Sequence, residues 1–285
     1  MHDIIMIGHV SRDIIESPHG MQRILGGPVV YSAAAAARSG ADVLVVTRVA
    51  PEDREELRVF EENGAAVLPL DSVATTSIHN LYETSDHERR TVKLLQAADP
   101  YALEDLPDTG ARIYQLGGLF VGDIPESLIE SLSRRGEVAL DAQGAVRHVV
   151  DGRMEFGDWQ EKRTYLPFVT YFKTDAAEAE LLTGETDRVR AARTLQEMGA
   201  REVMVTHNTE VILAAGDELY RAPLTPRNLT GRTGRGDTCF AAYLAWNLTH
   251  DREEALRYAA ALVSIKMETP GVFQGKPADV FERIH

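Results

Sequence analysis

The stretch Gly231-Arg232-Thr233-Gly234-Arg235-Gly236-Asp237-Thr238 leads directly into an apolar, alanine-rich segment that begins at Cys239. A glycine-rich turn that enters a helix leaves several backbone NH groups unpaired, and it directs the positive end of the helix dipole at one point. Such a turn binds phosphate or stabilises the charge of a phosphoryl group in transfer. The stretch therefore predicts an anion-binding turn at the start of a helix.

Asp237 stands in the first turn of this predicted helix, where an acidic residue has two interpretations. Its carboxylate either caps the helix or accepts the proton of a substrate hydroxyl. An anion-binding turn beside a carboxylate base is what phosphoryl transfer to an alcohol requires. The chain has no GxxxxGK[ST] motif, and the turn lacks the third glycine of a dinucleotide fingerprint, so neither of those phosphate sites is predicted.

Upstream of the turn, apolar β-branched runs alternate with helical patterns. Buried strands are predicted at 4–7, 42–46, 66–70, 112–115, 138–140, 171–173 and 203–206. Helices are predicted at 31–38, 52–63, 125–134, 176–182 and 188–198, with a hairpin at 211–222 and two alanine-rich helices at 237–247 and 252–268. This alternation indicates an α/β fold, in which helices cover both faces of a mostly parallel sheet.

Two stretches interrupt the alternation. Residues 14–25 place Pro-His-Gly between two short apolar runs, which is a hairpin signal. Residues 75–96 have the pattern of two alternating strands, joined by a polar turn at Ser85-Asp86-His87. Together they predict a small antiparallel β lid that projects from the α/β body. No linker divides the chain, so we expect one domain over residues 1–285.

Composition narrows the class of protein. The 285 residues carry a net charge of −14, which argues against a nucleic-acid or membrane-surface partner but leaves small anionic ligands open. The single cysteine, Cys239, excludes an intrachain disulfide and metal sites of the CxxC type. No apolar run approaches the roughly eighteen residues of a membrane-spanning helix, and the N-terminal run has no basic leader. We therefore expect a cytoplasmic location.

At this point a family resemblance becomes specific. Thr233 to Thr238 resembles the C-terminal signature of the ribokinase-like (PfkB) family of sugar and nucleoside kinases, which usually reads D-T-x-G-A-G-D. Further motifs follow the family's order over nearly the whole chain: the opening strand Gly8 to Asp13, the first signature at Gly26-Gly27, an N-x-x-E-like motif from Asp175 to Gly184, and the nucleotide-contacting strand end Val205-Thr206. The resemblance implies a ribokinase-like fold with a small β lid over the active site.

The resemblance also implies roles for individual residues. Asp237 would be the catalytic base, and the NH groups of the turn would form an anion hole, with Gly234, Arg235 and Gly236 as the other catalytic positions. Glu178 would organise Mg²⁺ and the phosphates of ATP through water. The other residues expected to bind the cofactor are Lys173, Asp175, Thr206 and Gly271, the last in a segment that resembles the adenine-pocket wall. Asp13, Gly26 and Gly27 would hold the acceptor, whose binding would close the lid.

This chain departs from the family pattern at four places. Gly231-Arg232 replaces an Asp-Thr pair whose acid often helps to form a monovalent-cation site, so potassium activation is not expected. Asp175 replaces asparagine and either ligates metal or caps the following helix. Arg235 replaces alanine and either contacts the transferred phosphoryl group or extends into solvent. Tyr31 takes the place of an asparagine common in ribokinases, which makes ribose a less favoured acceptor.

A segment after the fifth predicted strand bears on the acceptor. Leu140 to Arg147 resembles a D-x-Q-G-x-x-R segment of myo-inositol kinases in this family, and segments 90–94 and 97–100 fit the same subgroup. Gln143 and Arg147 either donate hydrogen bonds to a polyol or belong to an ordinary strand-end turn.

The sequence therefore predicts an ATP- and Mg²⁺-dependent kinase for a small sugar or polyol. The resemblance also implies that two copies could form a homodimer through the exposed lid strands. One alternative is a nucleoside or hydroxymethylpyrimidine kinase of the same fold. The other is a sugar- or nucleotide-binding regulator without catalysis.

Overall fold

Two β-sheets organise the chain in the computed structural model, which describes residues 1–82 and 91–284. The strands of these residues are β1 (His2–Ile7), β2 (Ser11–Ser17), β3 (Gly20–Gly26), β4 (Val43–Val49), β5 (Ala66–Asp71), β6 (Thr76–Leu81), β7 (Thr91–Gln96), β8 (Ala111–Leu116), β9 (Glu137–Asp141), β10 (Arg147–Val150), β11 (Arg153–Phe156), β12 (Tyr171–Asp175), β13 (Glu202–Thr206), β14 (Glu210–Ala215) and β15 (Glu218–Pro223).

The helices of the same residues are α1 (Pro28–Arg38), α2 (Arg58–Glu62), α3 (Ser127–Ser133), α4 (Gln143–Val146), α5 (Lys162–Tyr165), α6 (Ala176–Thr183), α7 (Arg188–Glu197), α8 (Arg235–Asn247), α9 (Arg252–Lys266) and α10 (Pro277–Ile284). Short 3-10 helices lie at Pro51–Leu57, Leu103–Asp105 and Leu166–Phe168. None of the described helices is long and apolar enough to cross a membrane.

The larger sheet has nine strands in the order β15-β14-β13-β12-β9-β8-β1-β4-β5. The run from β13 to β5 is parallel throughout, and the β14–β15 hairpin adds two antiparallel strands at one edge. In β1, Ile4 and Met6 join the core under α1, α8 and α9, whereas Ile5 and Ile7 join the core under α3, α6 and α7. Burial on both faces explains the uninterrupted apolar runs of these strands.

All seven predicted strands are present, as is the hairpin at 211–222, but β5 is only partly buried because it is the edge strand of the sheet. The predicted helix at 52–63 differs in its first half. It begins as the 3-10 helix Pro51–Leu57, and only Arg58–Glu62 is α-helical. Its first half carries a run of charged residues and buries only Leu57, so little packing supports a longer α-helix there.

The smaller sheet, which we call the lid sheet, has the order β10-β11-β7-β6-β2-β3. It confirms the two predicted strand pairs, while the predicted turn at Ser85-Asp86-His87 lies outside the described residues. Its pairs are antiparallel except for β2 and β6, which run parallel. Strands β2, β6 and β10 each follow a strand of the larger sheet, so the lid sheet arises from loops at the carboxyl edge of the body.

The hairpin β10–β11 of the lid sheet was not predicted. Each strand has only four residues, half of them polar, and most positions are exposed, so the stretch is too short for strand periodicity to give a clear signal. The turn between them is Asp151-Gly152, with φ of 49° and 73°. An Asp-Gly pair is a typical two-residue hairpin turn, and it was the available signal for this hairpin.

Candidate active site

The predicted anion-binding turn lies at the start of α8, as the sequence indicates. Gly234 is the N-cap, with a left-handed φ of 75°, and a Cβ there would lie 2.2 Å from Cγ of Tyr31. Only glycine meets both conditions. The NH group of Arg235 donates to the carbonyl of Arg232, whereas Gly236 and Asp237 lie in the first turn, where a helix offers their amides no internal acceptor. These two amides are therefore the candidate anion-binding groups.

The backbone carbonyl of Asp237 accepts a hydrogen bond from a side chain on α1. Ser32 Oγ on α1 donates to the carbonyl of Asp237 over 3.3 Å, and Gln115 Nε2 at the end of β8 donates to Ser32 Oγ over 3.0 Å. Ser32 and Gln115 are buried. This chain of hydrogen bonds fixes the first turn of α8 against the sheet.

A buried ion pair lies beneath the turn. Lys173 on β12 and Asp141 at the end of β9 are register partners on adjacent strands, and Lys173 Nζ lies 3.1 and 3.0 Å from the two carboxylate oxygens. The Lys173 and Asp141 side chains are only 7% and 3% exposed. A Cβ on Gly236 would lie 2.9 Å from Lys173 Nζ, so the ammonium group packs directly against the turn.

The pKa of Asp237 fits a catalytic base. Burial and the nearby carboxylate of Asp141 raise its pKa from 3.8 to about 6, while the positive charges of Lys173 and Arg147 oppose the rise. At neutral pH the group is mostly ionised and is still basic enough to accept a proton from a hydroxyl in the transition state. Burial by itself would lower the pKa of Lys173, but the carboxylates around it outweigh burial and raise its pKa.

Asp175 and Glu178 cap α6 on the side of the predicted site where the phosphoryl donor is expected to bind, which we call the donor side. Asp175 Oδ1 accepts from the NH group of Glu178 over 2.8 Å, and Glu178 Oε2 accepts from the NH group of Asp175 over 2.9 Å. Asp175 is thus the N-cap residue, one of its two interpretations. Burial raises the pKa of Glu178, and the charge of Lys173 opposes that shift.

These residues allow a test of whether Mg²⁺ fits. In the described part of the chain, no group of three or more His, Cys, Asp or Glu side chains is arranged to hold a metal. Mg²⁺ often keeps most of its waters and binds through one or two carboxylates together with substrate phosphates. Asp175 and Glu178 each use one carboxylate oxygen in the capping box. The pair therefore fits a Mg²⁺ that reaches it through water, and such an ion would neutralise phosphate charge.

Two arginines lie on the donor side. Thr206 ends β13 as the register partner of Asp175, and Asn208 follows in the next turn. Asn208 Oδ1 accepts from Arg235 Nη1 over 2.5 Å and from Arg232 Nη2 over 3.3 Å. The Arg235 side chain therefore extends to this turn rather than into open solvent.

Gly271, the other predicted donor-side residue, lies in the exposed loop after α9, with φ of 91° and open space around its Cβ position.

The acceptor-side residues come from the lid sheet and the turns that lead into it. Asp13 lies on β2, and a Cβ on Gly26 would come within 2.9 Å of its carboxylate. Gly27 has φ of 99°, and a Cβ there would meet the carbonyl of His9 at 2.4 Å. Burial, and then the charges of Asp237 and Asp13, raise the pKa of Tyr31, so both acids face one tyrosine. Asp13 of the lid sheet therefore lies near the turn at the start of α8.

Arg147 and Gln143 occupy different surroundings. Arg147 begins β10, and its positive charge opposes the rise in the pKa of both Asp237 and Glu178, so it faces the same carboxylates. Gln143 lies in α4; its NH group donates to Asp141 Oδ1 over 3.1 Å, and its Nε2 donates to the carbonyl of Gly118 over 3.3 Å. The side-chain amide of Gln143 thus orders a loop, and its contact with substrate stays a prediction.

Sequence reasoning missed two members of this site. Asp141 entered only as part of the motif from Leu140 to Arg147, although its place at the end of a predicted buried strand was a usable signal. Lys266 entered only as the first residue of the segment that resembles an adenine-pocket wall, yet it is buried near the turn and its charge opposes the rise in the pKa of Asp237. A lysine among apolar residues at the end of an alanine-rich helix was the signal for it.

The comparisons with known proteins identify the family of this chain. The profile of the pfkB family carbohydrate kinases matches residues 1–279. A sulfate complex of a pyrophosphate-dependent kinase in the ribokinase family is 36% identical, with a TM-score of 0.91 over 98% of this chain and 99% of that one. A pyrophosphate-dependent kinase of the ribokinase family, complexed with a pyrophosphate analogue and myo-inositol, is 35% identical, with a TM-score of 0.90 over the same shares.

A curated relative, the cytidine kinase of Thermococcus kodakarensis, is 25% identical over 256 residues, which are 86% of this chain and 88% of the relative. The family profile and the similar structures both identify the family of this chain. The protein belongs to the pfkB family of carbohydrate kinases and is a phosphotransferase that acts on an alcohol group of a sugar or polyol.

Proposed function

We propose that the protein transfers a phosphoryl group from a polyphosphate donor to a hydroxyl of a polyol, with myo-inositol or a close analogue as the favoured acceptor. One observation carries the proposal. A half-buried carboxylate, Asp237, lies in the first turn of α8, directly above the buried Lys173–Asp141 pair and facing the charge of Arg147. A base, helix amides and fixed cations at one point serve transfer of a phosphoryl group to an alcohol.

In the proposed reaction, Asp237 accepts the hydroxyl proton while the acceptor oxygen forms a bond to the terminal phosphorus of the donor. The bond from that phosphorus to the bridging oxygen breaks, and the remaining phosphate group leaves with both electrons of that bond. The amides of Gly236 and Asp237 stabilise the negative charge of the transferring group. Lys173 supplies positive charge beneath the turn, and its pairing with Asp141 holds it there.

Support for a polyol acceptor comes from the lid side. A 35% identical structure contains myo-inositol. Asp13 and Arg147 present an acceptor and a donor of hydrogen bonds on two strands of the lid sheet, and a compound with many hydroxyls can use both. A site built to bond several hydroxyls discriminates strongly against ligands that lack them.

For the donor we propose inorganic pyrophosphate ahead of the ATP that the sequence signature suggests. The 35–36% identical structures are pyrophosphate-dependent kinases. Arg232 and Arg235 meet at Asn208 on the donor side, and two guanidinium groups suit a small, highly charged anion. ATP is the second candidate because the segment from Lys266 to Gly271 resembles an adenine-pocket wall. Mg²⁺ would be held through water by Asp175 and Glu178.

The test is a matrix of donors and acceptors. Purified protein is incubated with pyrophosphate or ATP and with myo-inositol, ribose or cytidine, with Mg²⁺ or with excess EDTA, and phosphorylated products are followed by ³¹P NMR. We expect transfer from pyrophosphate to myo-inositol that stops in EDTA. Transfer to cytidine alone would favour a nucleoside kinase. No acceptor-dependent product in any combination would favour a binding regulator and overturn the proposal.

We further propose that residues 1–285 form one catalytic domain in the cytoplasm, with no nucleic-acid or membrane partner, and that two copies associate through the lid sheet. The support for association is a set of exposed apolar side chains on lid strands, Met21, Leu95, Val149, Val150 and Phe156. Burial of these side chains against a second copy would remove apolar area from water. A molar-mass measurement by light scattering would give twice 31.4 kDa for the dimer.

A further inference from the structure

Lys266 ends α9 inside the protein, next to the turn that precedes the anion-binding residues. The residue is 3% exposed. Its Nζ donates to the carbonyl of Gly231 over 2.6 Å and also to the carbonyl of Thr233. Both carbonyls belong to the segment that leads into Gly234, the N-cap of α8. One ammonium group therefore holds two backbone carbonyls just before the proposed anion hole.

The same segment is attached to the end of α9 at a second point. The NH group of Gly231 donates to the carbonyl of Met267 over 2.8 Å. A Cβ at Gly231 would lie 1.9 Å from the carbonyl oxygen of Thr269, so no side chain fits there without a backbone shift. This explains why position 231 cannot carry an aspartate in this arrangement. Lys266 and Gly231 together attach the segment before α8 to the end of α9.

An aromatic ring completes the surroundings of the ammonium group. Lys266 Nζ lies 5.1 Å from the centre of the Tyr31 ring, within the range of a cation–π contact. The same ring packs on Gly234, whose Cβ position lies 2.2 to 2.6 Å from three ring carbons. Lys266 thus contacts the N-cap of α8 through Tyr31 as well as through the two carbonyls. Burial lowers the pKa of Lys266 to about 8, and the charge of Asp237 opposes that shift.

We propose that Lys266 is a positioning residue that acts as a built-in monovalent cation, holding the carbonyls of Gly231 and Thr233 so that the amides of Gly236 and Asp237 face the transferring phosphoryl group. An ammonium group and a potassium ion both bind carbonyl oxygens in this way. The proposal rests on the proposed kinase function. It implies that the native protein works without added potassium and that removal of the side chain creates a need for a monovalent cation.

The test compares Lys266→Ala with Lys266→Met in a buffer that contains only bulky organic cations. Transfer is measured with the donor and acceptor that the native protein uses. We expect both variants to lose about 10- to 100-fold in kcat, with little change in the KM of the acceptor, because misplaced amides weaken transition-state binding. Potassium or ammonium ions should restore much of the kcat of Lys266→Ala. They should not restore Lys266→Met, whose side chain fills the space without charge.

Controls separate this role from a structural one. Lys276→Met, at an exposed lysine, should keep native kcat and stay insensitive to potassium. Loss of kcat in Lys266→Ala without rescue, or native kcat in both variants, would overturn the proposal. If the variants unfold at the assay temperature in every salt, Lys266 serves stability and the proposal is also wrong.

If the native protein transfers no phosphoryl group, the kinase function fails. The cation site is then judged by the thermal unfolding of Lys266→Ala. A potassium-dependent rise in Tm, absent from the native protein and from Lys266→Met, supports the site. An equal response in all three proteins counts against it.

Discussion

The turn at the start of α8 (residues 231–238), where we propose the catalytic site, and the lid sheet differ in how the fold holds their residues. Around the turn, Asp141, Lys173 and Glu178 are buried on the larger sheet or at the start of α6, and each has short contacts to a defined partner. In the lid sheet, β3 is exposed along its first four residues and β11 along three of four. The proposed chemistry thus lies on a closely packed region, which we call the frame: the turn at the start of α8 with Asp141, Lys173 and Glu178. The proposed acceptor recognition lies on the lid sheet, which is more exposed.

This difference follows from what the two regions must do. A base and an anion hole accelerate transfer only if their positions are set before the substrate arrives. A lid must admit the acceptor and then exclude water, and elements with few buried contacts open at low free-energy cost. Changes in the frame should therefore act on turnover or folding, and changes in the lid should act on acceptor affinity.

The largest effect is expected from Asp237→Asn, which keeps the shape of the side chain and removes the base. kcat should fall by roughly 10²–10⁴, with a smaller change in donor affinity. Steady-state assays with varied donor and acceptor give both values. Asp217→Asn, in the exposed turn between β14 and β15, is the matched control and should behave as the native protein. Turnover within a factor of about three of native in Asp237→Asn would refute the base assignment.

Lys173→Met tests the frame itself. Removing one partner of a buried ion pair leaves the charge of Asp141 unpaired, so the free energy of unfolding should fall by roughly 3–5 kcal/mol. Urea denaturation measures this. The double variant Lys173→Met/Asp141→Leu should recover most of the lost stability, because neither charge is then buried without a partner. It should remain inactive, which separates folding from catalysis. A single variant as stable as the native protein would contradict the contact seen between Nζ and the carboxylate.

Asp13→Asn tests the lid. The KM of the acceptor should rise by about 10- to 100-fold, the loss expected for a hydrogen bond from a hydroxyl to a charged group. The KM of the donor and the unfolding midpoint should stay near their native values. Glu16→Gln, on the same strand, is the control. A change mainly in kcat, with the KM of the acceptor unaltered, would show that Asp13 acts on turnover. It would contradict the proposal that the lid sheet governs acceptor affinity.

The smallest effect is a pH dependence. Because the pKa of Asp237 is raised to about 6, its carboxylate gains a proton as pH falls below that value and can no longer accept one from the substrate. kcat/KM for the acceptor should therefore rise with pH through about 6 and then level off. The same profile for Asp237→Asn shows any ionisation of the donor. If the two profiles coincide, the native dependence belongs to the donor, and Asp237 does not titrate in this range.

Much of the frame was predictable from local sequence. The apolar runs from Ile4 to Thr206 predict the parallel strands, since burial on both faces leaves an uninterrupted hydrophobic signal. The segment from Gly231 to Thr238 predicts a helix start that binds anions, because glycine and helix polarity act within a few residues. The same local logic failed for β10 and β11, which are four residues each; they pair with each other, and β11 also pairs with β7 at Lys93.

The sequence alone determined the α/β fold, the anion-binding turn and the acid within it, since each depends on neighbours along the chain. The tertiary structure decided which charges meet there. Lys173 reaches Asp141 across 32 residues, and Lys266 reaches Gly231 across 35, through strand register and helix packing. A buried ammonium group gains its partners only when distant segments pack around it. For that reason the sequence around Lys266 marks an unusual lysine but does not show that its ammonium group contacts the carbonyls of Gly231 and Thr233.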